Sequence, residues 1–136
     1  MAAVLYIADS FEAPPLPDCA RVLLDDSASY WFLYRYFETA KLPSRKEELI
    51  DLYGGAEISG YQLDRLIEEL ELAASDVSVW ASPRYVLLGW NSELVERKTE
   101  RRQELMKEDA LRVTGSILAL ARDAKAQGRK LISSGD

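Results

Sequence analysis

The sequence predicts an α+β fold: one domain over residues 1–136, with a small mixed β-sheet covered by about four helices in a sandwich. Three observations carry that expectation. Short apolar runs bounded by turn residues, Ala3–Ala8 (AVLYIA) and Tyr85–Trp90 (YVLLGW), read as buried strands. Between Leu63 and Val77 the apolar residues recur at the helical period, opposite a row of carboxylates. The stretch Asp25–Leu42 holds six of the thirteen aromatic residues within eight positions, Tyr30–Phe37, and reads as a central helix.

The elements follow in order. Ala3–Ala8 is a first strand, ended by Asp9 and Ser10, and Pro14, Pro15 and Pro17 make Phe11–Asp18 an extended connector. Arg21–Leu24 is a second strand. In Asp25–Leu42 a helical spacing gathers Tyr30, Leu33, Tyr34, Tyr36, Phe37 and Ala40 into one broad arc, with Arg35, Glu38 and Thr39 opposite. A strand, which aromatics also favour, would put Arg35 on the same face as Leu33 and Phe37. Asp25, Asp26 and Ser27 are the expected caps, and Lys41 with Pro43 the stop.

Ser44 with Glu47 forms a capping box that opens a short helix with Leu49, Ile50, Leu52 and Tyr53 on its apolar side, ended by Gly54 and Gly55. Ser59 with Gln62 forms a second, ahead of the helix in which Leu63, Leu66, Ile67, Leu70, Ala73, Ala74 and Val77 share a narrow arc. That helix either runs on towards Trp80 or yields to a strand at Val77–Ala81, and Pro83 stops both. Residues 91–104 are almost wholly polar; Glu93, Arg97 and Glu100 would support a solvated helix, and a loop is the alternative. From Met106 the helical period returns through Val113, Ile117, Leu120, Ala121 and Ala124, with Gly115 attributed to close packing and Gly128 to the end. Leu131–Ile132 is a terminal strand. The connections 24–85 and 90–131 are long enough to join parallel strands through helices.

Composition narrows the function. With 48% hydrophobic and 29% charged residues the chain falls in the ordinary globular range. It has no histidine, which excludes Ser–His–Asp and Cys–His mechanisms, and its single cysteine, Cys19, allows no intrachain disulfide or thiolate–imidazole zinc site. No metal, cofactor or catalytic residue is assigned. The start of the chain lacks the pattern of a signal peptide and no long apolar run is present, so the expected location is cytoplasmic, away from any membrane. Residues 1–76 hold 15 acidic and 6 basic side chains, residues 77–136 hold 8 and 11, and the net charge is −6. That balance argues against direct nucleic-acid binding and suits a basic protein partner.

Paired carboxylates can act as acid and base or hold Mg²⁺. Asp64 and Glu68 lie on a solvated helix face, however, and Asp25 and Asp26 are accounted for as caps. No GxxxxGK[ST] or GxGxxG run is present. Trp31 stands apart: the helical spacing places it between Arg35 and Glu38 on the polar arc, where it is either a binding anchor or a ring covered by another element. Candidate partner-binding residues are therefore Trp31 with the acidic row Asp64, Glu68, Glu69 and Glu71.

The run Asp26-Ser27-Ala28-Ser29-Tyr30-Trp31-Phe32-Leu33-Tyr34, with Ile50-Asp51-Leu52-Tyr53-Gly54, Ser59-Gly60, Leu88-Gly89-Trp90 and Gly135-Asp136, resembles small acidic immunity-type proteins found beside bacterial polymorphic toxins. The resemblance implies a cytoplasmic inhibitor that binds one cognate toxin domain, a basic one if the acidic surface makes the contact, and it brings no catalytic residues. Two alternatives stay open: a carboxylate-dependent, metal-assisted enzyme, and a structural or oligomerising module that uses the aromatic surface.

Overall fold

The computed structural model describes residues 2–15, 20–94 and 97–135, with the backbone alone described over 89–101. Strand β1 (Ala2–Ala8) is followed by β2 (Val22–Asp25), helix α1 (Ala28–Ala40), β3 (Gly55–Ile58), α2 (Gly60–Ser78), β4 (Arg84–Leu94), β5 (Arg97–Leu105), α3 (Lys107–Ala126) and β6 (Lys130–Gly135). The α+β class is therefore observed, with three helices among the described residues in place of the four expected. One sheet has the order β2-β1-β6-β3; β4 and β5 form a separate hairpin.

Every pairing among the described residues is antiparallel, so the mixed sheet expected from the long connections is corrected. A long connection permits a parallel return but does not impose one. Here β6 runs between β1 and β3 with Tyr6 opposite Ile132 and Ile58 opposite Leu131. Alternation then sends Ala3, Leu5, Ile7, Leu24, Ala56, Ile58 and Leu131 to the face under the helices, where all are buried. From α1 they meet Tyr30, Leu33 and Phe37, from α2 Leu63, Leu66 and Leu70, and from α3 Ile117 and Leu120, in one continuous core.

Several local expectations fail for identifiable reasons. Residues 44–53 form no helix, although Leu49, Ile50 and Leu52 are buried as anticipated. The Ile50 carbonyl accepts a hydrogen bond from the Tyr30 hydroxyl at 2.8 Å, and the Glu48 carboxylate accepts one from Tyr34 at 2.7 Å, so α1 holds the segment through its side chains. Gly54 and Gly55 do not end a helix; Gly55 begins the short β3. The Ser59–Gln62 box does not form either, since Ser59 makes no side-chain cap bond and Gln62 is buried, accepting from the Leu42 N–H and donating to the Ala40 carbonyl.

At the start of α1, Ser27 makes no side-chain cap bond, and the Ala28 N–H donates instead to Gln103 of β5 at 3.0 Å. Residues 91–94 and 97–104 of the polar segment are neither solvated helix nor loop but strand, paired from Arg84–Leu105 to Leu94–Arg97, while 95 and 96 lie outside the described residues. The strand expected at Tyr85–Trp90 is present in β4 but is not buried throughout, because Tyr85 and Leu87 are exposed while Val86 and Leu88 pack against the core. Helix α2 ends at Ser78, and Trp80 turns back to pack edge-on against Phe32. Gly115 meets no atom within 4 Å of where a Cβ would stand, so close packing does not explain it. At the end of α3 the expectation holds: Gly128 takes φ +65°, and the N–H groups of Gly128 and Arg129 return to Lys125 and Ala124 as in a Schellman turn.

Cys19 and Asp136 lie outside the described residues, as do the side chains of Trp90, Glu93, Arg97 and Glu100. Among the described residues no helix is long and apolar enough to cross a membrane.

Candidate functional site

The acidic row on α2 is largely occupied by the protein's own cations. Asp64 Oδ1 is 2.7 Å from Lys125 Nζ and Glu71 Oε1 is 3.3 Å from Arg122 Nη2, both across to α3. Glu68 Oε2 lies 2.7 Å and Glu69 Oε1 3.6 Å from Arg65, one turn earlier. Glu69 is also buried, at 8% exposure, which corrects its placement on the solvated side. The structure thus leaves Asp64, Glu68 and Glu71 on the open side of α2, turns Glu69 inward, and sets Arg65, Arg122 and Lys125 against the four. In each pair the attraction is local, and little negative field is left to reach a partner. Held by Asp64, the Lys125 ammonium is stabilised and its pKa raised.

Trp31 is remote from that row in its contacts. It is partly buried against the core, and its indole N–H donates to Asp26 Oδ1 at 2.6 Å, which fixes the ring. The ring meets Tyr30 edge-on at 5.1 Å and Tyr34 at 5.4 Å. Asp26, expected as a helix cap, therefore serves the indole instead.

Two hollows flank Trp31. On one side a groove of about 470 Å³ runs between α1, the end of α2 and the start of β4, with Phe32, Trp80 and Tyr85 beside the charged Arg35, Arg84 and Asp76. Its rim is apolar and open: Val79 is 79% and Tyr85 67% exposed. The guanidinium of Arg84 stands 5.4 Å from the Trp80 ring and that of Arg35 4.8 Å from Tyr36. Asp76 accepts a 2.6 Å bond from the Tyr36 hydroxyl, which burial above all, and then this bond, pushes up in pKa. On the other side a smaller pocket of about 200 Å³ is lined by Tyr30, Trp31, Tyr34, Glu48, Asp51 and Tyr53.

A larger hollow lies elsewhere, about 720 Å³ beside β3, between Phe11, Arg45 and Glu57. Size alone would nominate it. Its one carboxylate on β3 is already engaged by the fold, whereas Arg45 Nε is buried without a hydrogen-bond partner among the described residues. Glu57 accepts from the Phe11 N–H at 2.6 Å and from Lys130 at 2.8 Å, contacts that lower its pKa, and its carbonyl accepts from Arg45. Among the described residues no group of three or more carboxylate or thiol side chains is placed to hold a metal ion.

Sequence reasoning singled out Trp31 but missed the residues around it. Tyr85 was hidden inside an apolar run that reads as wholly buried, and Val79 and Trp80 lay where helix and strand could not be told apart. Glu48, Asp51 and Tyr53 were assigned to a helix that does not form. The alternation of Arg84, Val86 and Leu88 against Tyr85 and Leu87 was the one available signal. No known protein family, curated protein or solved structure matches this chain.

Proposed function

We propose that this protein is an interaction module that binds another protein through the surface centred on Trp31, and that the partner is a toxin domain it neutralises, as the immunity-type resemblance implies. The observation that carries the reading is the convergence of Trp31, Trp80, Tyr85 and Arg84 around a groove rimmed by the exposed Val79. Tryptophan, tyrosine and arginine are the residue types that dominate the energetics of protein interfaces. A groove of this kind, lacking histidine and lined by one carboxylate already bonded to Tyr36, supports recognition better than bond-breaking.

The acidic contribution has a different place from the one expected on α2. Beside Trp31 the carboxylates of Glu48 and Asp51 belong to the small pocket, whereas Arg35 and Arg84 border the groove. The surface is therefore two-signed, and a partner that matches it carries a basic group on one side of its contact with Trp31. Such complementarity acts mainly on orientation and encounter rate.

The test starts from the partner, identified by cross-linking and mass spectrometry or from the neighbouring coding sequence. Trp31→Ala and Tyr85→Ala are each expected to weaken its binding by about tenfold or more, which is about 1.4 kcal/mol. Asp64→Asn with Glu71→Gln is expected to change it by less than about twofold. A Trp31→Ala/Tyr85→Ala protein that is folded and binds like the wild type removes the proposal.

A further inference from the structure

We infer that the small pocket between α1 and residues 48–53 is the seat of one basic side chain of the partner, an arginine. This rests on the reading that the Trp31 surface binds a protein, and it adds which chemical group enters and where.

The pocket is built from two kinds of group that attract a cation. Tyr30, Trp31, Tyr34 and Tyr53 supply aromatic rings, whose faces carry the negative end of the ring quadrupole. Glu48 and Asp51 supply two carboxylates. No lysine or arginine lines the pocket, and among the described residues neither carboxylate has a cationic partner within ion-pair distance. The contrast with α2 is direct, since there each carboxylate is already matched.

The groups are also held in place before any partner arrives. Glu48 Oε1 accepts from Tyr34 at 2.7 Å and Asp51 Oδ1 from the Tyr53 N–H at 3.0 Å, so each carboxylate is oriented by a bond from one oxygen to a neutral donor. Tyr30 is fixed by its bond to the Ile50 carbonyl and Trp31 by its bond to Asp26. Fixed rings and fixed carboxylates cost a partner little ordering on binding. Tyr53 is 61% exposed at the mouth, where a long side chain can pass.

The local potential has the matching sign. Tyr30 and Tyr34 both resist ionisation beyond the ordinary tyrosine range. For Tyr34 the bond to Glu48 is the main cause and for Tyr30 it is burial, and the charges of Glu48 and Asp51 add to both. The N-terminus of α1 opposes this with roughly half a positive charge, less than two carboxylates supply.

Size and shape select the occupant. At about 200 Å³ the pocket is below the roughly 300–1,000 Å³ of small-molecule sites and suits the end of one side chain. Arginine fits better than lysine, because a planar guanidinium stacks on a ring while its N–H groups reach carboxylate oxygens.

The experiment needs no partner. N-acetyl-arginine methylamide is titrated into the ¹⁵N-labelled protein while the Trp31 indole resonance is followed, with the citrulline analogue as a neutral isostere and tetramethylammonium as a cation without N–H groups. Expected is saturable binding in the millimolar range, about fivefold or more tighter than the citrulline analogue and weakened at least about threefold by Glu48→Gln or Asp51→Asn. Tyr53→Ala, at an exposed position, supplies the same loss if either acidic variant fails to fold. Equal binding of arginine and citrulline probes, no Trp31 shift at about 50 mM probe, or tighter binding of tetramethylammonium than of arginine each overturns the inference. A failed titration with Trp31→Ala still weakening the partner leaves the proposed function standing without this pocket. The reverse result leaves the pocket and removes the function.

Discussion

The face shared by α2 and α3 and the face that α1 shares with residues 48–53 both present carboxylates, and they use them in opposite ways. On the first, Asp64, Glu68, Glu69 and Glu71 stand within reach of Arg65, Arg122 and Lys125, with Arg65 shared by Glu68 and Glu69, so most of the charge is met inside the molecule. On the second, Glu48 and Asp51 are bonded, among the described residues, to the neutral donors Tyr34 and the Tyr53 N–H, and stand among aromatic rings. Counting acidic residues ranks α2 as the negative surface. Counting what lies within a few ångströms ranks the pocket at Trp31 first, because a neighbouring cation cancels a field that sequence distance does not reveal.

Four variants or conditions sharpen or break this contrast, taken from the largest effect. Phe37→Ala, in the buried arc of α1, is expected to lose about 3–5 kcal/mol in urea unfolding, whereas Trp31→Ala, partly buried, should lose no more than about 2 kcal/mol. Equal losses would make Trp31 a core residue and end its role as an anchor. The second is alkaline pH. Tyr30 has a folded pKa raised above its unfolded value near 10, so this group leaves stability unchanged below about pH 10. Above it, stability should fall by about 1.4 kcal/mol per pH unit as the unfolded state alone ionises. Thermal unfolding between about pH 8 and pH 11, with and without Tyr30→Phe, reads this share, and an identical slope in both proteins would contradict it.

The third, Gly115→Ala on the solvent side of α3, should raise stability by about 1 kcal/mol, because no atom stands where the new methyl goes. A drop in melting temperature would show that α3 is covered there. Smallest is Asp64→Asn, which breaks an exposed ion pair with Lys125 and should cost less than about 1 kcal/mol, shrinking further as salt is added. A larger, salt-resistant loss would mean that the α2–α3 pairs act as a buried network.

Much of the fold was legible because local pattern was enough. The period of Leu63–Val77 and of Val113–Ala124 survives in α2 and α3, and Gly128 ends α3 in the turn that its missing Cβ permits. The arc Tyr30, Leu33, Tyr36 and Phe37 is buried as its spacing required. The failures have a common cause: a side chain from a distant element took over a backbone group that local rules had assigned. Gln103 caps α1 in place of Ser27, Gln62 binds the end of α1 in place of its own helix start, and Tyr30 claims the Ile50 carbonyl. The hairpin escaped notice because the polar alternation of 97–105 carries no apolar face to mark it.

At the candidate site, Trp31 was visible as a ring on the polar arc between Arg35 and Glu38. Its neighbours were not, since Trp80, Tyr85, Glu48 and Asp51 come from three other segments and meet it only in the fold. The sequence by itself determined much of the core, where α1, α2 and α3 run and the absence of histidine-based mechanisms, since those follow from spacing and residue type. The strand order, the antiparallel sheet, the neutralisation of α2 and the hollows beside Trp31 were decided by tertiary structure. All of these except the local pairs of Arg65 with Glu68 and Glu69 depend on groups far apart in the chain coming within bonding distance, which no local period records.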